Sequence, residues 1–269
     1  MKNSKILNSI QAPPAPAGLD VAAALRSHMN RLKAEFYNLE QGRVDYQAMR
    51  RSEAYREYAA NTTLLRDFHL AGLQGREVRL AFWVNIYNTL VIHGIIELGI
   101  RESVREVLGF FSRFSYCIDG MTFTPDDIEH GILRGNRRPP YRLFRPFPLS
   151  DPRFPHIIEP PDPRTHFTLV CGSTSCPPIN FYRADSIDGQ MDLAAAGFIN
   201  GPEVEILPER DLLRLSPIFN WYSADFGGRK GIVDLLIRYR EPGKERDFLM
   251  ERGTRARLEW KGYDWRLNG

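Results

Sequence analysis

The segment Cys171-Gly-Ser-Thr-Ser-Cys176-Pro-Pro places two thiols around four small residues, which let backbone or ligand approach closely. It follows the apolar run His166-Phe-Thr-Leu-Val170, and groups at such exits often do chemistry. Three kinds are open. Cys176, just before Pro177, suits a helix N-terminus, where the positive dipole end stabilises a thiolate nucleophile. Cys171 and Cys176 form a reversible disulfide if the loop brings their Cα atoms within about 7 Å. Zinc with a histidine is the third, although four intervening residues are borderline for a structural knuckle. Against all three stands plain burial of both sulfurs as small apolar groups. Between the two, Cys176 is the expected nucleophile, and Cys171, ending a strand, is expected to be packed.

A cysteine nucleophile needs a base and something to orient it. His130 and His166 are the available histidines. Glu129 neighbours His130, but an α-helix sets adjacent side chains about 100° apart, so the two are not expected to form a dyad. Asn85 and Asn88 share one helical face in Phe82-Trp-Val-Asn-Ile-Tyr-Asn88. Unpartnered, each buried amide costs about 1–3 kcal/mol, so they either pin a loop or orient a histidine. Arg134, four residues after His130, suits a substrate carboxylate or Glu129. The candidate catalytic set is therefore Cys176, His130, His166, Glu129 and Asn85. Arg134, Asn88, Cys171, Ser173 and Arg164 form the candidate substrate-binding set. No phosphate loop or deaminase-type metal signature occurs, so neither a cofactor nor a metal is expected.

The elements that must position these groups change character along the chain. Val21, Leu25, Met29, Leu32, Phe36 and Leu39 recur at helical steps, and segments 46–60 and 80–98 continue the pattern. Residues 110–123 read as a hairpin turning at Asp119-Gly120, and Thr124-Pro-Asp-Asp127 opens a helix carrying Glu129 and His130. Nine prolines lie in 137–163, which reads as an ordered lid over the Cys loop. Then come a strand at 166–170, a helix from Asp185 or Ser186 to Phe198, a strand at 204–207, and helices at 212–222 and 232–239. The expectation is one compact α+β domain over 21–269, its N-terminal helices packed on a small mixed or antiparallel sheet containing Phe167 to Val170. Residues 1–20 read as a flexible Pro/Ala leader without a secretory pattern.

Thirty-six Lys and Arg against 33 Asp and Glu leave +3, which gives no general case for nucleic acid or membrane as a partner. Three cysteines leave at least one unpaired, in keeping with a reducing, cytoplasmic setting. The run 80–100 is long enough to span a bilayer, but Asn85, Asn88, His93 and Glu97 make a buried core helix the better reading.

Four ordered motifs carry a family resemblance. They are Phe82-Trp-x-Asn-x-Tyr-Asn88, Ile128-Glu-His-x-Ile-Leu-Arg134, Asp162-Pro-Arg-x-His-Phe-x-Leu-x-Cys-x-Ser-x-Ser-Cys-Pro177, and Trp221-Tyr-x-x-Asp-Phe-Gly227. Over about 45–240 the chain resembles the family called domain of unknown function 547. The resemblance implies no settled activity. Some eukaryotic members carry an attached glutaredoxin-like or leucine-zipper segment, and a thiol–disulfide label belongs to that segment; this chain has no CxxC. From the residues, the leading expectation is a Cys–His hydrolase or acyl transferase acting on a small molecule or peptide. In papain-like and transglutaminase-like folds the cysteine precedes the histidine, whereas here both histidines come first. A non-catalytic scaffold, or a redox pair of Cys171 and Cys176, are the alternatives.

Overall fold

Twenty-three residues from Arg76 to Leu98 form the longest helix, and most of them are buried. Its polar residues find protein partners. Asn85 and Asn88 bond loop backbone, His93 meets Tyr116, and Glu97 accepts from Tyr55 and Lys5. The segment is thus a core helix, with 89% of its most apolar window inside the protein. Gly94 marks its closest approach, since a Cβ there would lie 2.3 Å from the Phe114 ring.

The computed structural model describes residues 4–9, 19–38 and 40–269. In chain order these give β1 (Lys5–Ile6), α1 (Val21–Phe36), β2 (Tyr37–Asn38), β3 (Arg43–Val44), α2 (Tyr46–Arg51), α3 (Glu53–Asn61) and α4, the core helix. Then follow β4 (Phe114–Ile118), β5 (Met121–Phe123), a π-helical segment Asp127–Leu133 and a 3-10 turn Pro163–Phe167. The chain continues through α5 (Ile187–Ile199), β6 (Val204–Leu207), β7 (Leu212–Leu215), α6 (Pro217–Trp221), α7 (Gly228–Tyr239), α8 (Lys244–Arg252) and β8 (Arg257–Trp260). The sheets run β1-β4-β5, β2-β3 and β6-β7-β8. The fold is one α+β domain with two hydrophobic clusters. One packs α1 to α4 against β4 and β5; the other packs α5, α6, α7 and α8 against β6 and β7.

The hairpin, the core helix and α5 follow the sequence reading. Asp119 (φ 51°) and Gly120 (φ 72°) make the two-residue turn between β4 and β5. Four expectations need correction. Segment 46–60 is two helices, because Ser52 caps α3 by accepting from Tyr55 N. Leu212–Leu215 is a strand, not a helix; it pairs antiparallel with β6 and parallel with β8, and a helix starts only at Pro217. Phe167 to Val170 joins no sheet. Asp162 and Pro163 start a 3-10 turn there, and Asn88 does what a neighbouring strand would, donating to Thr168 O and accepting from Val170 N. Finally, part of the leader belongs to the fold: β1 pairs parallel with β4, and buried Asn8 bonds the backbone of Cys117 and Thr62. The Pro/Ala stretch 10–18 lies outside the described residues.

Candidate active site

The Cys loop is held from two sides. On one side Asn85 takes both backbone groups of Tyr182, and Asn88 bonds Thr168 O, Asn180 O and Val170 N. Both amides pin the loop and do not reach a histidine. On the other side the C-terminal residues lie along it, with Thr174 N bonded to Arg266 O and Asn268 N to Gly172 O. Gly172 (φ 78°) permits the tight passage, since a Cβ would sit 2.4 Å from Ile95 Cδ1.

This clamp fixes the sulfurs differently. Cys176 Sγ lies against the loop backbone, accepting from Cys171 N at 2.7 Å and facing Leu169 O at 3.6 Å. Cys171 Sγ lies 2.8 Å from Ser173 Oγ and 3.1 Å from Tyr263 OH. Toward a thiolate both hydroxyls donate. Burial pushes the Cys171 thiol up, but donation from Cys176, Ser173 and Tyr263 outweighs it and brings the pKa down to about 7. Cys176 moves the other way, raised by burial and by its neighbour. Cys171 thus carries the two hydroxyl partners, whereas Cys176, the expected nucleophile, carries a backbone N–H. No helix begins at Cys176, because Pro177 leads into irregular chain.

Both thiols open on a cavity of about 390 Å³ at the seam of the two hydrophobic clusters. Glu129, His130 and His166 line it too, together with Tyr87, Tyr141, Tyr222 and Tyr263. The π-helical turn explains why Glu129 and His130 both face the cavity. Its wider i→i+5 pitch, with Arg134 N bonded to Glu129 O, brings Glu129 Oε1 to 3.6 Å from His130 Nδ1. The two face one cavity without a hydrogen bond between them.

The two histidines are not equivalent. His130 Nδ1 accepts from Arg134 at 2.9 Å and Nε2 faces Tyr141 OH at 3.1 Å, so both nitrogens are taken. Burial holds its pKa below the ordinary value. His166 donates Nε2–H to Asp225 at 2.9 Å and stacks on Tyr222 at 4.0 Å. Among the described residues nothing hydrogen-bonds its Nδ1. Burial pushes Asp225 up, but the bonds from His166 and Arg134 hold it well below the carboxylate range.

Glu129 accepts from Tyr222 OH at 2.6 Å and Tyr87 OH at 3.2 Å. Burial raises its pKa; His130, Tyr222, His166 and Arg134 together lower it below the ordinary value. His130 is itself driven toward neutrality, so the hydroxyl donors are the firmer cause.

Arg134 and Arg164 do not face the cavity. Arg134 spends its donors on Asp225, His130 and Arg138 O, and Arg164 pairs with Asp162, Asp188 and Asp192. Neither is free for a substrate carboxylate. The 137–163 segment does border the cavity, through Pro140 and Tyr141, but Phe144 remains 80% exposed. Sequence reasoning missed Asp225, Tyr222 and Tyr87, which stand in the quoted motifs, and Tyr263, which no motif marks. Among the described residues no group of His, Cys, Asp and Glu is placed to hold a metal ion.

Residues 70–199 match the model of the family described as protein of unknown function, DUF547. The resemblance holds over that span, which contains the Asn, Glu-His and Cys motifs but not Trp221 to Gly227. No curated protein and no solved structure matches the chain.

Proposed function

We propose that the chain is a cysteine-dependent acyl-transferring or hydrolytic enzyme, with Cys171 as nucleophile and His166, oriented by Asp225, as general base and acid. The observation that carries this reading is the Cys171 sulfur between two hydroxyl donors, in the same cavity as a histidine whose second nitrogen is unbonded. The Cys171 proton passes to His166 Nδ1, and the sulfur attacks an acyl carbon to form a thioester. The leaving amine, alcohol or thiol departs with the proton from His166. Water or an acceptor nucleophile then gives its proton to His166 and releases the acyl group from the thioester. Ser173 and Tyr263 hold the thiolate, and Cys176 supports the loop.

Intact-mass and peptide analysis after exposure to short activated acyl thioesters tests this. We expect a hydroxylamine-sensitive acyl adduct at Cys171, lost in Cys171→Ala and kept in Cys176→Ala. An adduct confined to Cys176, or none, contradicts it. The closeness of Cys176 Sγ to Cys171 also favours a second reading, an exchanging thiol pair. That reading requires a Cys171–Cys176 disulfide after mild oxidation and no acyl adduct.

A further inference from the structure

Buried carboxylates in this region are paired with guanidinium groups, with one exception. Asp225 has Arg134 and Arg137, and Asp126 has Arg142. Glu129 is 13% exposed at its side chain, and its single ion-pair neighbour within 4 Å among the described residues is His130. His130 Nδ1 already accepts from Arg134, so it brings no charge of its own. Against burial, His130, the Tyr222 hydroxyl, His166 and Arg134 together favour its ionised form, but no guanidinium or ammonium of the described residues contacts it. A buried anion facing a cavity with no cation in direct contact is an incomplete arrangement.

The rest of the wall has the matching chemistry. Among the described residues no Lys or Arg lines this cavity, whereas seven aromatic rings do, among them Trp221, Tyr263 and Trp265. Those three rings cluster with centroids 4.6–5.8 Å apart. They already attract a cation of this chain, Arg105, 5.0 Å from the Trp265 ring. Aromatic faces beside a carboxylate favour ammonium or guanidinium groups over neutral or anionic ones. The thiolate form of Cys171 adds to the same sign of field.

We infer that this cavity binds a substrate carrying a cationic amine or guanidinium group, whose charge is taken by Glu129 and the aromatic wall. The inference rests on the reading of the cavity as the substrate site, and it narrows the substrate class to acyl compounds of basic molecules or basic peptides. Arg134, the residue a carboxylate substrate would need, is committed elsewhere.

The test uses the full chain bearing Cys171→Ala, so that binding is read without chemistry and stays separate from the nucleophile assignment. Benzylamine, benzyl alcohol and benzoate are compared by quenching of tryptophan fluorescence and by equilibrium dialysis. We expect saturable benzylamine binding, benzyl alcohol at least about tenfold weaker, and no benzoate binding. Glu129→Gln should weaken benzylamine about tenfold and leave benzyl alcohol unchanged. Benzoate binding as tightly as benzylamine, no amine binding, or Glu129→Gln leaving amine affinity unchanged would each overturn the inference. Should Glu129→Gln not fold, the amine–alcohol contrast decides alone. Amine binding without an acyl adduct would remove the nucleophile and keep the cation site.

Discussion

Helix α4 serves two polar clusters six residues apart, and they are built to opposite plans. Around His93 the bonds form one chain that ends on backbone and lies enclosed in the core. His93 Nδ1 meets Tyr116 OH at 2.9 Å, Tyr116 OH meets Tyr58 OH at 2.6 Å, and Tyr58 OH donates to Thr89 O at 3.2 Å. Every member is at most 3% exposed. Around Tyr87 the bonds stop at a cavity, where Glu129 has no guanidinium or ammonium in contact and Cys171 gathers donors suited to a thiolate. A closed network locks a core; an open one leaves groups whose unused valences need a ligand. The comparison singles out the candidate site without reference to any motif.

The largest effect should come from breaking the open network at its hub. Asp225→Ala leaves Arg134 and His166 without their acceptor, and we expect a loss of about 3–5 kcal/mol in urea unfolding. A loss under about 1 kcal/mol would mean the cluster relaxes freely and is not a built site.

Next in size is the pH response of the closed network. Burial lowers the His93 pKa from 6.5 to about 4. The unfolded chain therefore takes up this proton first, so the His93 contribution is complete above about 6.5 and is lost as pH falls toward 4. The loss amounts to about 3 kcal/mol. His93→Gln should flatten the stability profile between those limits; an unchanged slope would show that His93 is not held neutral.

A smaller pair sharpens the contrast. Tyr116→Phe orphans a core partner and should cost about 1–3 kcal/mol. Tyr263→Phe removes one donor from a site open to solvent and should cost less than about 1 kcal/mol. It should, however, raise the pH at which Cys171 alkylates. Equal stability costs and an unmoved thiol would erase the distinction drawn here.

The core helix, the hairpin, α5 and the α+β class were legible because local periodicity and turn chemistry decide them. Three asparagines were not. Asn8, Asn85 and Asn88 bond distant backbone in place of strands, so their partners appear only after folding, and Asn88 turned an expected strand at 167–170 into a pinned loop. The candidate site was half legible. Cysteines and histidines announce themselves by type, whereas the π-helical pitch that turns Glu129 inward does not. Tyr263 is delivered to Cys171 by the parallel pairing of β8 with β7, a contact across 92 residues that no local signal encodes. Cys176 was the expected nucleophile because a proline follows it, yet its sulfur is taken by the backbone N–H of Cys171, five residues back in the same loop.

The central claim is that Cys171, not Cys176, is the activated thiol. Site-resolved mass spectrometry of iodoacetamide labelling across pH on the native protein tests it most directly. The account predicts that Cys171 alkylates first, with a midpoint below that of an ordinary thiol, and that Cys176 alkylates only at higher pH. Earlier alkylation of Cys176, or protection of both thiols until the chain unfolds, would contradict it.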